Sequence, residues 1–258
     1  MNKFSKYLTL VAAAALCSVS AHAYTVSFAY DVPVDGSGKT STLVGPANAQ
    51  FTAVGANGGV YLETFDLPNG KCGLNSLSGS VSITGGTYAL QKGTTPGVAA
   101  TPADDTTCFA FGPKPGGALS DTVTIDYSNF LTNVLPAGSY LNYFGLYYGS
   151  IDTYNDISFF NSAGELITKV TGTSLIADFN GISGNQFADS SNIYVNLYFD
   201  PSEEFSSFSF TTSSIAFEMD NAVVGYNIPG QNVPEPATLA LVGLGLLGLA
   251  ASRRRKAV

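Results

Sequence analysis

The sequence predicts an all-β protein, an antiparallel two-sheet β-sandwich of jelly-roll-like form, with an N-terminal signal peptide and a single C-terminal transmembrane helix. Three observations predict this fold class. Apolar and polar residues alternate with a period of two through most of residues 24–229. Glycine, proline, serine and asparagine separate the alternating runs, and no amphipathic helical stretch interrupts them. Ten to twelve short strands with such connections are typical of β-sandwiches.

Residues 1–23 predict a secretory signal peptide. Lys3 and Lys6 precede an apolar stretch at residues 8–16, and Ala21-His22-Ala23 provides the small residues of a cleavage site. The sequence therefore predicts cleavage before Tyr24 and export of the remaining chain.

The segments of the body that follow the leader predict strands joined by loops. The predicted strands lie within residues 24–30, 59–65, 81–90, 119–130, 139–170, 193–199 and 205–226. Residues 31–50 predict a turn-rich loop, and residues 92–105 predict a surface loop. The first loop has Asp31, Asp35 and Gly36 at three positions of a calcium loop, but the other ligand positions are not acidic, so it predicts turns only.

Two cysteines, Cys72 and Cys108, remain in the exported part. Because the exported chain enters an oxidising compartment, the pair predicts a disulfide, with two buried free thiols as the alternative. A zinc site is disfavoured, since the only histidine, His22, leaves with the leader.

The charge of the body limits its partners and its chemistry. Residues 24–232 contain five lysines, no arginine and eighteen acidic residues, a net charge of −13. Such a surface repels phosphates, so nucleic acid is excluded as a partner. The absence of histidine and arginine argues against an enzyme, although a pair of carboxylates, Asp152 with Asp156 or Glu203 with Glu204, would be the minimum for a glycosidase. No cofactor is predicted; the negative charge would suit structural calcium, but no complete ligand loop is visible.

The segment 139–170 combines tyrosines with acidic and amide side chains. Tyrosine rings stack on sugar rings, and carboxylates and amides accept or donate hydrogen bonds to hydroxyls. The candidate sugar-binding residues are Tyr143, Tyr147, Tyr148, Asp152, Asn155 and Asp156. The alternative is that these tyrosines are ordinary packing residues of strands.

The C-terminal tail has three ordered parts. Residues 230–236 form a linker containing Pro234-Glu235-Pro236, residues 237–252 predict a short transmembrane helix, and residues 253–258 form a basic cytoplasmic tail. The basic residues that would stop transfer are Arg253, Arg254, Arg255 and Lys256. Since these charges stay in the cytoplasm, the body is predicted to lie in the periplasm while the helix is anchored in the inner membrane.

The Pro-Glu-Pro motif, short apolar span and basic end at residues 233–256 resemble the PEP-CTERM sorting domain of Gram-negative bacteria. This resemblance implies that an exosortase recognises and removes the tail, and that the body reaches the cell surface or extracellular matrix. Residues 139–226 also resemble a family of exosortase-dependent surface proteins, which implies a β-sandwich. We therefore expect a structural or adhesive protein of biofilm or floc; the alternative is a carbohydrate-binding module for exopolysaccharide that uses residues 140–156.

Overall fold

A computed structural model describes residues 24–75 and 80–228. These residues form two antiparallel sheets with two short helices, which confirms the predicted all-β two-sheet sandwich. The predicted signal peptide, Pro-Glu-Pro linker, transmembrane helix and basic tail lie outside the described residues. Within the described ranges, no helix has both the length and the apolar character needed to cross a bilayer.

The strands are short and most contain β-branched or aromatic residues, which suits them to a pleated sheet. In chain order they are β1 (Tyr24–Ser27), β2 (Phe51–Val54), β3 (Gly58–Glu63), β4 (Ser82–Gly85), β5 (Ala89–Lys92), β6 (Cys108–Gly112), β7 (Asp121–Asp126), β8 (Leu141–Gly149), β9 (Asn155–Phe160), β10 (Leu166–Thr171), β11 (Ile193–Phe199), β12 (Ser207–Thr212) and β13 (Phe217–Tyr226).

The larger sheet has the order β1-β11-β8-β13-β3-β2. On the side of β13 where β3 pairs with its later residues, the first residues of β13 pair with β6. Strand β6 in turn pairs with β5. The smaller sheet has the order β10-β9-β12-β7-β4. The long strands β8 and β13 therefore form the centre of the larger sheet, and the loops at their ends lie close together.

The main core lies between the two sheets and is rich in phenylalanine. Phe159 of β9 lies at its centre, with ring centroids 5.2 Å from Phe144, 4.8 Å from Phe199 and 5.3 Å from Phe205. Such aromatic pairs add to the free energy gained from burying the rings. The period-two pattern of residues 193–199 correctly predicts that Ile193, Val195, Leu197 and Phe199 share the buried face, and these residues belong to this core.

The outer face of the larger sheet is also covered. Tyr143 and Tyr198 point to this face and pack with Val44 of the loop 31–50 in a second apolar cluster. Because this loop covers the outer face, all nine residues of β8 are buried. The prediction of a simple turn-rich loop at residues 31–50 missed this covering role.

Two short helices that the sequence did not predict lie between strands of this all-β body: α1 (Ser128–Asn133) and α2 (Gly172–Phe179). A capping box begins α2, in which Thr171 Oγ1 accepts a hydrogen bond from the Ser174 amide at 3.0 Å and Ser174 Oγ accepts one from the Thr171 amide at 3.2 Å. The helix ends at Asn180, which has a left-handed φ of 56°. Two turns are too short to give a clear helical period in the sequence.

Cys72 and Cys108 form a disulfide with a Cα–Cα distance of 5.4 Å, as predicted. The bond joins the segment after β3 to the start of β6. The loop 93–107 that precedes β6 is not a simple surface loop, because Ala99 is buried against Phe109 and Phe111.

Candidate functional site

Four loops meet at one end of the sandwich. They comprise residues 31–50, 93–107, 150–154 and 180–192, and we call them the loop cluster. Hydrogen bonds from polar side chains connect the loops, and many of these bonds are made to backbone amides and carbonyl groups of a neighbouring loop. Such loop assemblies on a rigid sheet are where proteins commonly place binding residues.

Asn192, which ends the loop 180–192 directly before β11, joins this loop to the other three. Its Oδ1 accepts hydrogen bonds from the amides of Ala103 and Ser150, both at 3.0 Å. Its carbonyl oxygen accepts a hydrogen bond from Lys39 Nζ at 2.6 Å. The Lys39 ammonium also pairs with Asp189 at 2.9 Å, so one lysine connects the first and last loops of the cluster.

The structure does not bring the six candidate sugar-binding residues together on a surface. Tyr143 and Tyr147 face the covered outer side of β8, Tyr148 faces the inter-sheet core, and Asn155 is buried. The Tyr147 hydroxyl donates to the carbonyl oxygen of Ala103, and burial raises the tyrosine's pKa well above its ordinary value. Since buried rings cannot stack on a sugar, the predicted stacking surface is wrong, and the packing alternative describes these tyrosines.

The two acidic residues of that prediction have separate partners. Asp152 is half-buried, which raises its pKa, and it accepts hydrogen bonds from Tyr154 at 2.6 Å and Ser183 at 3.2 Å. Asp156 lies on β9 in the smaller sheet, where it pairs with Lys169 at 2.6 Å. Glu203 and Glu204, the other carboxylate pair considered for a glycosidase, lie in the connection between β11 and β12, away from Asp152 in the chain.

Buried carboxylates beside the loop cluster were missed by sequence reasoning. Asp105 belongs to the loop 93–107, whereas Asp220 and Glu218 belong to β13. Burial raises the pKa of Asp105 to about 6, raises that of Glu218 to about 8, and raises that of Asp220 well above its ordinary value. Single acidic residues in an alternating strand carry no local signal of this burial.

These carboxylates do not form a conventional cluster of metal ligands. Within residues 24–75 and 80–228, no group of three or more histidine, cysteine, aspartate or glutamate side chains is placed to hold a metal ion. A cation site in this part of the chain would therefore need hydroxyl, carbonyl or water oxygens in addition to carboxylates.

Large apolar side chains are exposed on the loops 31–50 and 180–192 of the cluster and at Tyr30, which directly precedes the first of these loops. We call these side chains the apolar loop surface: Tyr30, Val32, Val34, Ile182 and Phe187. Val34 is 82% exposed and Phe187 is 90% exposed. Lys39 connects the two loops, because its Nζ lies 4.8 Å from the centre of the Tyr30 ring as well as in the ion pair with Asp189. Large exposed apolar side chains on loops that are joined in this way make this region the candidate interaction surface.

An apolar cavity of about 220 Å³ lies between the sheets near β4. The acidic groups that line it already have partners, because Glu63 accepts hydrogen bonds from the amides of Phe65 and Asn75, and Asp121 accepts two from Thr87. The cavity could therefore hold an apolar group, and the hydroxyl-bearing rings of Tyr88 and Tyr127 also line it.

Comparison with known proteins places the C-terminal tail in a described family of motifs. A family model described as the PEP-CTERM protein-sorting motif matches residues 232–256. No curated protein matches the chain. The predicted sorting residues Pro234, Glu235 and Pro236 and the basic residues 253–256 fall within this match, outside the residues that the structure describes.

Two solved structures are similar to parts of the chain. CpGH89CBM32-6 produced by Clostridium perfringens is 11% identical with a TM-score of 0.29, and the match covers 57% of this chain and 94% of that chain. The Clostridium thermocellum N-terminal endo-1,4-β-D-xylanase 10B CBM22-1–GH10 modules, complexed with xylohexaose, are 13% identical with a TM-score of 0.30. That match covers 63% of this chain and 27% of the xylanase chain.

Proposed function

We propose that this chain, a PEP-CTERM protein by its sorting motif, is a structural or adhesive component of the cell surface or extracellular matrix. The observation that carries the proposal is the motif at residues 232–256, which implies export and processing by an exosortase. The disulfide suits such a protein, because disulfides persist outside the cytoplasm.

Anchoring in the inner membrane precedes release in this proposal. The apolar run 237–252 holds the exported chain, while Arg253, Arg254, Arg255 and Lys256 keep its end in the cytoplasm. The two prolines of the Pro-Glu-Pro motif disfavour helix and leave an extended segment that an exosortase can bind. Removal of the tail then frees the folded body.

The proposed role after release is adhesion through the apolar loop surface. The central strands β8 and β13 of the larger sheet are covered by the smaller sheet on one face and by the loop 31–50 on the other. Val34 and Phe187, by contrast, project from the loops with most of their surface in water. Burying such side chains against a partner is favourable by about 25 cal/mol per Å² of apolar surface.

A second candidate function is binding of exopolysaccharide at a site different from the one predicted. The exposed rings of Tyr30 and Phe187 lie on loops joined by Lys39 and Asp189. Exposed aromatic faces next to charged hydrogen-bonding groups are suited to sugar rings and their hydroxyls. This site would replace Tyr143, Tyr147 and Tyr148, which are buried.

We propose a non-catalytic role for the body. Residues 24–232 contain no histidine or arginine, so the commonest general base and the usual clamp for phosphate or carboxylate groups are missing. The half-buried carboxylate of Asp152 is hydrogen-bonded within the protein, and Asp156 is ion-paired.

Intact mass of the protein recovered from its native cell surface or medium tests the sorting step. We expect a mass that starts at Tyr24, ends near residues 234–236 and lacks residues 237–258. Full-length protein that keeps its tail in the inner membrane would overturn the proposal of release.

Adhesion is tested with the secreted protein and cells or exopolysaccharide of the same organism. The double variant Val34→Ser and Phe187→Ser should reduce binding at least several-fold. Leu119→Ser is the matched control, because Leu119 is also exposed, at 60%, but lies outside the loop cluster. An equal loss of binding in the double variant and in Leu119→Ser, or no loss in either, would contradict the assignment of the apolar loop surface. If the double variant loses binding to exopolysaccharide but still binds cells, the second function is favoured.

A further inference from the structure

We propose that the cavity between the sheets near β4 binds a small aromatic molecule that carries one hydroxyl group, such as an alkylphenol. The proposal is independent of the adhesive role, because the described residues that line the cavity lie outside the loop cluster. It rests on the size of the cavity, on its apolar wall and on one buried hydroxyl group that has no partner.

The cavity exists because the inward-facing side chains of the smaller sheet become smaller towards its edge at β4. Paired residues form two rows across this sheet, one of Phe159, Phe208, Ile125 and Ile83 and the other of Ile157, Phe210, Val123 and Gly85. The phenylalanines of β12 are buried in the core, whereas the isoleucines and valine of β4 and β7 are only half-buried. Ala110 and Ala222 line the same space from the larger sheet, so small residues on both sides leave it unfilled.

The size of the cavity suits one substituted aromatic ring. Its volume is about 220 Å³. An engineered apolar cavity of about 150 Å³ stays free of water and binds benzene, so the larger volume leaves room for a short alkyl chain on such a ring. Phe208, Phe210 and Phe217 belong to the wall and are suited to edge-to-face contacts with an aromatic ligand.

Tyr127, which directly follows β7, supplies a polar anchor in this apolar wall. Its side chain is only 5% exposed and lines the cavity. Its ring packs against Phe130 and Phe208. Its hydroxyl makes no hydrogen bond in the part of the chain that the structure describes. A buried hydroxyl without a partner is costly, and a ligand oxygen that accepts its proton removes this cost.

The surroundings of this hydroxyl favour a ligand that also donates a hydrogen bond. Burial, the nearby Tyr61 and the Glu63 carboxylate hold the pKa of Tyr127 well above its ordinary value, so its hydroxyl keeps its proton. Glu63 lines the cavity, and its Oε2 accepts a bond from the Asn75 amide at 3.0 Å. The Tyr61 hydroxyl lies 3.5 Å from this oxygen, too far for a strong bond. A ligand hydroxyl can therefore accept from Tyr127 and donate to Glu63 Oε2.

The cavity is accessible from the connection between β4 and β5. Tyr88 in this connection lines the cavity and is 37% exposed, so this side is in contact with water. Tyr61, Tyr127 and Phe217 at the other end are almost fully buried. A ligand that enters past Tyr88 therefore places its hydroxyl at the closed end and its alkyl chain towards the opening.

Binding of para-ethylphenol to the exported full chain in phosphatidylcholine nanodiscs tests the proposal. Nanodiscs replace detergent, because detergent chains would compete for an apolar cavity. Equilibrium dialysis should show one saturable site after subtraction of the uptake by empty nanodiscs. Ethylbenzene has the same apolar body without the hydroxyl and should bind about 3- to 10-fold more weakly, as expected for the loss of hydrogen bonds.

Two variants and one control locate the site. Tyr127→Phe removes only the hydroxyl, so the affinity for para-ethylphenol should fall about 3- to 10-fold while that for ethylbenzene is kept. Val123→Phe fills the cavity and should abolish binding of both probes. Tyr226→Phe makes the first change at a partly buried tyrosine outside the lining of the cavity and should bind like the parent.

The outcomes separate the cavity from its polar anchor. If the parent shows no saturable binding of para-ethylphenol, or if Val123→Phe binds it as the parent does, the proposal is wrong. If Tyr127→Phe binds para-ethylphenol as tightly as the parent, or if the two probes bind the parent equally, the ligand is not selected by its hydroxyl. Because Tyr127→Phe adds no bulk, it keeps the test decisive even if Val123→Phe does not fold.

Discussion

Glu218→Gln should make the protein more stable, and the gain should grow as pH rises. Glu218 on β13 is only 3% exposed. Its Oε1 accepts a hydrogen bond from the Ala100 amide at 3.0 Å, and its Oε2 accepts a long one from Ser150 at 3.3 Å. Burial raises its pKa from 4.5 to about 8, and repulsion from Asp152 acts in the same direction.

The sign of the effect follows from the raised pKa. The folded protein keeps the Glu218 carboxyl protonated up to about pH 8, whereas the unfolded chain loses this proton above pH 4.5. Folding therefore becomes less favourable by about 1.4 kcal/mol for each pH unit between these two values. At pH 7 the penalty is about 3 kcal/mol, and a neutral glutamine of similar shape should remove most of it.

Urea unfolding of the parent and of Glu218→Gln at pH 5, 7 and 9 measures this difference. We expect the free energies of unfolding to differ little at pH 5 and by about 3 kcal/mol at pH 7, with no further divergence above pH 8. Glu204→Gln is the matched control, because it makes the same chemical change at an exposed position. A difference between parent and Glu218→Gln that stays constant from pH 5 to pH 9 would show that Glu218 is not the group responsible.

Three further predictions concern the stability of the sandwich. Replacing Cys72 and Cys108 by alanine should lower the free energy of unfolding by about 4 kcal/mol for a separation of 36 residues, and reducing agent should then have no additional effect in urea titrations. Phe159→Ala should cost about 3 to 5 kcal/mol, because it removes the ring at the centre of the core, whereas the same change at exposed Phe187 should stay within about 0.5 kcal/mol. Gly145→Ala should cost about 1 to 3 kcal/mol in thermal unfolding, since a Cβ there would lie 2.6 Å from each of two buried tyrosine hydroxyls; a neutral result would mean that these rings move freely.

Local patterns in the sequence predicted much of the fold. Residues 193–199 were predicted as a strand and form β11 with those same bounds, because seven alternating residues give a clear period of two. β6 was missed, since its five residues follow a segment rich in proline and threonine that predicts a loop. The predicted strand 81–90 is divided between β4 and β5, which belong to different sheets, because Gly85 and Gly86 end the first strand.

The candidate site was less predictable because it depends on contacts that are distant in sequence. The prediction of one sugar site overlooked that Tyr143 and Tyr148 lie on opposite faces of β8. No local pattern in the sequence shows that residues 31–50 cover one of these faces. Likewise, Asp105 and Asp220 are separated by more than a hundred residues, and each stands as a single acidic residue in its own segment. Burial and charge repulsion appear only when the loops are assembled.

The contact between residues 31–50 and the end of β13 has a consequence for the order of events during export. Asn221 bonds to Ser37 across 184 positions of sequence, so the covering loop cannot settle until nearly the whole body has been translocated. β13 ends at Tyr226, six residues before the sorting motif begins at residue 232. Under the proposed anchoring, the sandwich would close only after the apolar tail halts translocation, because β13 lies so near the sorting motif. The last strand would then be the final piece to join the fold, while the body is still tethered at the membrane.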